Sequence, residues 1–302
     1  MNNVRTPKLK HIKGIFAPLT TPFKGEKIAP HFLQENINRY NRFDLSGYVL
    51  LGSTGEAVYL NDEESEILVQ AAGDVTPAGK KLIVGTARES TRETVLFSNR
   101  AAGLGADAVL VRGPGYFKSR LSPEALARHF ERIADESAVP VIVYNIPVHM
   151  GYSLSAETVL RLAAHPNIIG LKDSSGNLSF VGEILGDAPR GFDVLLGAGS
   201  ILFPGLMMGV SGAVITLSVV APGLCCDLFR LFEEKKWSKA RKLQLDLIPL
   251  NKAVIQTLGV AGAKYALDLL GFHGGPCRPP LPALDRKEKE HMRAILRRLK
   301  LI

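Results

Sequence analysis

Eight short apolar segments recur along this chain, and their spacing limits the possible folds more than any other feature. Each segment is rich in branched aliphatic residues, and most are separated by about 20 residues in which apolar side chains repeat at helical spacing. The segments are residues 14–20, 47–51, 81–86, 108–112, 139–144, 168–172, 192–196 and 213–216. Strands that alternate with helices in this way are typical of α/β folds with a parallel sheet.

Eight such strands within about 200 residues predict a (β/α)8 TIM barrel. The alternative is a doubly wound sheet, which often has a glycine-rich first turn that holds a dinucleotide; the first turn here, Thr-Thr-Pro-Phe at residues 20–23, is different. We therefore expect a catalytic barrel at residues 14–222. No strand pattern follows it, so residues 223–302 are expected to form a C-terminal helical region packed on the barrel.

Apolar spacing and capping residues predict the bounds of several helices. In the C-terminal region they are expected at residues 224–234, from 237 to about 258, and at 286–299. Within the barrel, a helix is expected to begin after Ser122, because serine is a good N-cap and Pro123 suits the first helical position. Residues 203–208 are expected to form a short helix.

Composition and charge exclude several classes of protein. Hydrophobic residues make up 46% and charged residues 22% of the 302 residues, an ordinary balance for a globular chain. The absence of a run of about 18 uncharged apolar residues argues against a membrane-spanning helix. Residues 1–13 carry a net charge of +4 and residues 278–302 carry +5, so the residues between them carry about −1 of the total of +8. Because nucleic-acid binders usually carry basic residues on a face of the folded domain, this distribution argues against that class.

The cysteines and the N-terminal residues indicate where in the cell the protein is expected. Cys225, Cys226 and Cys277 are too few and too unevenly spaced for a zinc site or a disulfide framework, so we expect small buried side chains in a reducing compartment. The N-terminus shows no apolar region typical of a secretory signal. A cytoplasmic location and no bound metal are therefore predicted.

Polar residues at the ends of the strands are the candidates for chemistry, because barrel active sites lie on that face. Lys172 ends an apolar segment, and strand alternation puts it on the same face as Ile168 and Gly170. If that face is the barrel lumen, desolvation favours the neutral amine, which can attack a ketone and form an imine. The alternative is a lysine paired with an acid at a strand end.

Tyr144 and a hydroxyl-rich turn are the other candidates. Tyr144 ends the strand before that of Lys172 and could transfer protons to and from the reacting oxygens, although a buried tyrosine is often only a packing residue. Ser53 and Thr54 lie in a Gly-Ser-Thr-Gly turn, where hydroxyl and backbone N–H groups could hold a small carboxylate. Ordinary loops also have this composition.

Together these motifs resemble the signatures of the dihydrodipicolinate synthase / N-acetylneuraminate lyase superfamily. They are Gly-Ser-Thr-Gly-Glu at residues 52–56, Tyr-Asn-Ile-Pro at 144–147 and Gly-Leu-Lys-Asp-Ser at 170–174. Their order agrees, and so does the step of 28 residues from Tyr144 to Lys172. The likeness extends from about residue 14 to about residue 270. It implies a (β/α)8 barrel with C-terminal helices and a Schiff-base lyase or aldolase that acts on pyruvate or a related 2-oxo acid.

The resemblance also implies roles for individual residues. Lys172 would form the imine with the 2-oxo acid, so that no metal or organic cofactor is required. Tyr144 would relay protons. Ser53 and Thr54 would bind the substrate carboxylate, and Ser53 would join the proton relay.

Many members of the superfamily complete that relay with a tyrosine from a neighbouring subunit. Tyr116 is the residue expected to do so here, although the register leaves open whether Phe117 takes its position. Glu56 is expected to anchor its own loop. The resemblance further implies a homo-oligomer, a dimer or a tetramer.

The second substrate is less constrained. The synthase of the superfamily usually carries an arginine two residues after the proline of the tyrosine motif, where this chain has His149. Histidine is shorter, mostly neutral at pH 7 and lacks the bidentate fork. Arg88 and Arg112 fall on the catalytic face and could bind an anionic group of the second substrate, or simply pair with nearby acids. Residues 116–122 resemble the matching stretch of 4-hydroxy-2-oxoglutarate aldolases.

Three hypotheses follow. The first is a lyase or aldolase that acts through a Schiff base on Lys172, similar to 4-hydroxy-2-oxoglutarate aldolases. The second is a 4-hydroxy-tetrahydrodipicolinate synthase that condenses pyruvate with aspartate semialdehyde and binds the semialdehyde carboxylate through Arg88 or Arg112. The third is a non-catalytic barrel that binds a small acid or a partner protein. The retained lysine, tyrosine and hydroxyl set argues against the third, because a binding protein needs no nucleophilic amine.

Overall fold

The eight predicted segments form the strands of one closed parallel barrel. The computed structural model describes residues 9–302, so much of the basic N-terminal stretch lies outside the described residues. In chain order the strands are β1 (Gly14–Pro18), β2 (Gly47–Leu50), β3 (Lys81–Gly85), β4 (Ala108–Arg112), β5 (Val141–Asn145), β6 (Ile168–Asp173), β7 (Asp193–Leu196) and β8 (Gly212–Val214). Pairing of Gly14 with Gly212 closes the barrel between β1 and β8. The predicted (β/α)8 barrel is therefore confirmed.

Helices connect the strands and form the C-terminal region. Those of the barrel are α1 (Pro30–Tyr40), α2 (Asp62–Val75), α3 (Thr91–Gly103), α4 (Pro123–Glu136), α5 (Pro147–Met150), α6 (Ala156–Ala163), α7 (Leu178–Asp187), α8 (Leu202–Met208) and α9 (Leu217–Val220). Those that follow are α10 (Pro222–Glu233), α11 (Trp237–Lys252), α12 (Gly259–Leu269) and α13 (Arg286–Arg298). A small antiparallel ribbon, Phe23–Lys24 with Lys27–Ile28, follows β1.

Local sequence signals explain where these elements begin. The Ser122 side chain accepts a hydrogen bond from the Ala125 amide at 3.2 Å and caps α4, with Pro123 at the first helical position as predicted. Asn61 and Glu64 form a reciprocal capping box at the start of α2. Strands β5 and β6 are buried at every position, as expected for parallel strands covered by the lumen on one face and by helices on the other.

The C-terminal region contains one helix that the sequence analysis missed. Gly259 and Gly262 give α12 a low intrinsic helix propensity. Its Ala263, Ala266 and Leu267 are fully buried, and this packing compensates for the glycines. The preceding helix α11 ends at Lys252 and continues as a π-helical turn, so its path reaches the expected end near residue 258.

The three cysteines are free thiols. Cys225 is buried as predicted, whereas Cys226 and Cys277 are only partly buried. Burial raises the pKa of Cys226 to about 12 and that of Cys277 to about 11, so both thiols stay protonated near neutral pH. Within residues 9–302, no helix has the length and apolar character needed to cross a membrane.

Candidate active site

Lys172 and Tyr144 meet at the C-terminal ends of neighbouring strands. They are paired in the register of β5 and β6, so their Cα atoms stand at the same height in the barrel. Both residues are buried, with exposed fractions of 5% for Lys172 and 7% for Tyr144. The Lys172 Nζ lies 4.0 Å from the centroid of the Tyr144 ring. The amine and the phenol thus form one buried pair in the mouth of the barrel.

The next residue on each strand locks this pair in place. Asn145 Nδ2 donates to Asp173 Oδ1 at 2.7 Å, and both side chains are fully buried. Asn145 Oδ1 accepts from the Leu154 amide at 3.1 Å, and the backbone amide and hydroxyl of Ser175 donate to Asp173 Oδ2. Burial raises the pKa of Asp173, although the hydrogen bonds from Ser175 and Asn145 oppose that shift. These contacts fix the two strand ends relative to each other.

The hydroxyl-rich turn after β2 faces the same mouth. Residues Ser53–Gly55 form a 3₁₀ turn in which Thr54 is buried and Ser53 is exposed. Thr54 Oγ1 lies 2.9 Å from Thr216 Oγ1, so the turn is hydrogen-bonded to the residue that precedes α9, just after β8. As expected, Glu56 is buried and anchors the turn, through an ion pair with Lys264 of α12.

A cavity of about 350 Å³ opens between this turn and Tyr144. Polar groups of Ser53, Arg88, Glu89 and Arg112 line its wall, together with apolar residues of the strand ends. A volume of this size suits a small organic acid. The lining does not include Lys172, Thr54, Tyr116 or His149.

Arg88 is tied to α2. Its Nε and Nη2 donate to Asp62 Oδ1 at 3.1 and 2.8 Å. Its guanidinium lies over the Phe97 ring, 4.0 Å from the centroid. The ion pair with a neighbouring acid, the alternative left open for this residue, is therefore present, while the side chain still borders the cavity.

Arg112 is tied to a carboxylate that the sequence analysis did not single out. Its Nη2 donates to Glu89 Oε1 at 3.0 Å. Glu89 Oε2 accepts from the backbone amides of Gly115 and Tyr116, at 3.0 and 2.9 Å. Burial raises the pKa of Glu89, but the hydrogen bonds from Tyr116, Arg112 and Gly115 outweigh that effect and keep it below its ordinary value. Glu89 thus holds the loop that carries Tyr116.

The two aromatic residues of that loop point outward in the single chain. Tyr116 is 81% and Phe117 is 70% exposed, and their rings meet edge to face with 4.9 Å between centroids. His149 lies in α5 and is exposed to solvent. Partial burial of its ring, and the nearby positive charges of Arg112 and Lys172, lower its pKa, so the imidazole is mostly neutral at pH 7.

Candidate ligands for a metal ion are scarce in the described part of the chain. No group of three or more His, Cys, Asp or Glu side chains in residues 9–302 has the arrangement to hold one. The site offers an amine, a phenol and hydroxyl groups, which can perform imine formation at Lys172, proton transfer at Tyr144 and binding of a carboxylate at the Ser53–Gly55 turn.

Comparison with known proteins settles the family. Residues 11–299 match the model of the dihydrodipicolinate synthetase family. This chain belongs to that family. Its members are Schiff-base lyases and aldolases, so the chain is an enzyme of that class, and the prediction of a lyase is confirmed at the level of the dihydrodipicolinate synthetase family.

Several members of the dihydrodipicolinate synthetase family are similar over nearly their whole length. The chain is 32% identical over 285 residues to the 4-hydroxy-tetrahydrodipicolinate synthase of Listeria monocytogenes serotype 4a, which covers 93% of this chain and 97% of that protein. Among solved structures, the synthase of Methylacidiphilum fumariolicum SolV has a TM-score of 0.91 at 31% identity and covers 96% of each chain. YagE, a prophage protein of Escherichia coli K12 solved in complex with pyruvate, has a TM-score of 0.90 at 28% identity and covers 96% of this chain and 99% of its own.

Proposed function

We propose that this enzyme cleaves or forms a carbon–carbon bond of a 2-oxo acid such as pyruvate through an imine on Lys172. The observation that carries the proposal is the buried pair of Lys172 and Tyr144, with 4.0 Å between the amine nitrogen and the centroid of the phenol ring. A lysine that is buried against a phenol in this way can serve as a nucleophile. The pyruvate complex of the related YagE supports the choice of 2-oxo acid.

The proposed reaction uses only side chains of the protein. Attack of the Lys172 amine on the ketone carbon gives a carbinolamine, and loss of water gives the imine, with Tyr144 supplying the proton to the leaving hydroxyl. In a 4-hydroxy-2-oxo acid, the protonated imine accepts the electron pair of the C3–C4 bond. The Tyr144 phenolate, left after the dehydration step, takes the proton of the 4-hydroxyl, which becomes the carbonyl of the aldehyde product. The enamine left on Lys172 takes a proton at C3, and water releases pyruvate.

The remaining predicted site residues take supporting roles in the proposal. Ser53 and Thr54 bind the carboxylate of the 2-oxo acid, and Ser53 joins the proton relay. Tyr116 contributes to that relay from a neighbouring copy of the chain, since its ring points away from its own cavity. Arg112, which lines the cavity, binds an anionic group of the second substrate in this proposal, and His149 contacts the same substrate from outside the lining.

A second candidate is 4-hydroxy-tetrahydrodipicolinate synthase, which condenses pyruvate with aspartate semialdehyde. Two relatives at 32% identity carry that name, one from Listeria monocytogenes and one from Methanopyrus kandleri. In this candidate, Arg88 or Arg112 would bind the carboxylate of the semialdehyde, because His149 stands where the arginine of that enzyme is expected. Both arginines border the cavity, but each already pairs with a carboxylate.

The two candidates are separated by a direct comparison of substrates. Cleavage of 4-hydroxy-2-oxoglutarate and condensation of pyruvate with aspartate semialdehyde are measured with the same preparation. We expect cleavage to have the higher kcat/KM. A higher value for condensation would favour the synthase. Failure of borohydride to trap any 2-oxo acid on the folded protein would contradict both candidates.

Assembly and location belong to the same proposal. A homo-oligomer, a dimer or a tetramer, is supported by the exposed apolar side chains near the mouth, among them Val58, Tyr116, Phe117 and Val148. Light scattering coupled to chromatography tests it. A cytoplasmic location is supported by three free cysteines, which suit a reducing compartment, and cell fractionation tests it.

A further inference from the structure

A buried ion pair joins the C-terminal region to the turn that carries Ser53 and Thr54. Lys264 Nζ of α12 lies 2.5 Å from Glu56 Oε1, and each side chain is only 1% exposed. The Lys264 ammonium also donates to the Pro276 carbonyl at 2.7 Å and lies 4.4 Å from the centroid of the Phe23 ring. Burial lowers the pKa of Lys264, whereas the charge and hydrogen bond of Glu56 oppose that shift.

A second group from the same region holds the other side of Glu56. The backbone amide of Arg278 donates to Glu56 Oε2 at 2.8 Å. The Arg278 guanidinium donates to both carboxylate oxygens of Glu64, at 2.7 and 2.6 Å, and to the Tyr59 carbonyl at 2.7 Å. Arg278 therefore binds both the end of the turn and the first residues of α2.

The turn needs such support because its backbone is strained on both sides. Leu51 and Glu56 are non-glycine residues with φ of 56°, in the left-handed region. Residues other than glycine keep this conformation only where their surroundings enforce it. Ser53 and Thr54 lie between these two positions, so their orientation depends on what holds Glu56.

We propose that Glu56, Lys264 and Arg278 are positioning residues through which the C-terminal region sets the carboxylate-binding geometry of the turn. This inference rests on the proposed function, because Ser53 and Thr54 bind the 2-oxo acid carboxylate there. It assigns the C-terminal region a part in substrate recognition. The clamp is defined as the ion pair of Glu56 with Lys264 and the hydrogen bonds of Arg278 to Glu56, Tyr59 and Glu64. Its loss weakens recognition of a carboxylate but leaves the amine of Lys172 able to react.

The test compares a substrate that has a carboxylate with one that lacks it. Glu56→Gln and Lys264→Met are combined, since removal of both charges leaves no buried charge unpaired. Imine formation is trapped with borohydride, using pyruvate over a range of concentrations and acetone at a fixed concentration. We expect the half-saturating pyruvate concentration to rise about tenfold, because misplacement of a binding group lowers effective concentration steeply. Trapping of acetone stays at the rate of the unmodified protein.

Two further variants complete the design. Lys242→Gln combined with Asp246→Asn removes an exposed ion pair of α11 and is the matched control, for which both substrates behave as in the unmodified protein. If the double variant at Glu56 and Lys264 does not fold, Arg278→Gln replaces it, because its pair with Glu64 is less deeply buried. A smaller rise, for pyruvate alone, is expected from Arg278→Gln, because the backbone amide that donates to Glu56 remains.

The possible results distinguish a role of the clamp from general damage to the fold and from failure of the proposed function. An unchanged half-saturating concentration in a folded variant would overturn the inference. A parallel loss for pyruvate and acetone would also overturn it, since that pattern reflects general damage to the fold. Absence of pyruvate trapping in the unmodified protein would instead contradict the proposed function on which the inference rests.

Discussion

The strand ends and the surrounding loops of the candidate site hold their side chains in different ways. Lys172 and Tyr144 are fixed by sheet register and by the buried hydrogen bond between Asn145 and Asp173. Tyr116 is 81% exposed on a loop that Glu89 ties to Arg112. In the proposed function, the barrel therefore supplies a rigid place for imine chemistry, whereas the loops carry the groups proposed to contact the second substrate and a neighbouring copy of the chain.

The largest expected effect lies in the strand-end pair. Lys172→Ala removes the only nucleophile of the proposed mechanism, so kcat should fall on the order of 10⁴-fold or more. Steady-state cleavage of a 4-hydroxy-2-oxo acid measures this, and a far-ultraviolet circular dichroism spectrum checks the fold. Turnover at the rate of the unmodified enzyme would remove Lys172 from the mechanism.

Tyr144→Phe should have the next largest effect. The ring that packs against the amine is kept and only the hydroxyl is lost, so kcat should fall about 10²–10⁴-fold, the contribution usual for general acid–base catalysis. Thermal unfolding should change little. A fall in kcat of less than about tenfold would show that Tyr144 acts by packing and not by proton transfer.

Acid should destabilise the folded protein through a buried histidine. Burial and the positive charge of Arg112 lower the pKa of His129 on α4 from 6.5 to about 4, and the negative charge of Glu89 opposes this shift only in part. The unfolded chain therefore binds a proton between these values that the folded chain does not, and stability is lost as the pH falls below about 6.5. From pH 7 to pH 5 this residue should lower the free energy of unfolding by about 2 kcal/mol.

Urea unfolding at the two pH values measures that loss. His129→Asn keeps a polar group near Thr91, which contacts the imidazole in the folded protein, and should abolish this part of the pH dependence. His31→Asn, at an exposed position, is the control and should retain it. An equal slope in His129→Asn and the unmodified protein would show that His129 does not titrate as described.

The smallest expected effect lies in the loops. Arg112→Gln should raise the KM for the second substrate about tenfold, since it removes a charged contact that an anionic group can use. The half-saturating pyruvate concentration for imine trapping should stay unchanged. A change in pyruvate trapping equal to that in the second substrate would show that the loop and the strand ends act as one unit.

The sequence predicted those parts of the molecule that depend on short-range patterns. Apolar segments gave the strands, and the positions of Tyr144 and Lys172 at two successive strand ends predicted that they would meet. The part played by Glu89 was missed, because its contacts lie with backbone amides of a separate loop. Helix α12 was missed because burial against the rest of the chain outweighs two glycines. Whether Arg88 would face substrate or an acid could be decided only by where Asp62 lies.

The pairing of Glu56 with Lys264 shows the same limit. Both side chains are buried, and Lys264 Nζ lies 2.5 Å from Glu56 Oε1, yet the two residues are far apart in the sequence. The sequence indicated that Glu56 anchors its loop but carried no local signal for its partner. Long-range ion pairs of this kind are set by tertiary packing and have no spacing rule in the sequence.

The central claim is that Lys172 is the amine that reacts, and peptide mapping after reductive trapping tests it most directly. The enzyme is treated with pyruvate and borohydride, digested and analysed by mass spectrometry. One stable adduct is expected, on the peptide that contains Lys172, and none on the more deeply buried Lys264. An adduct on a different lysine, or none in a preparation that still turns over, would contradict the account.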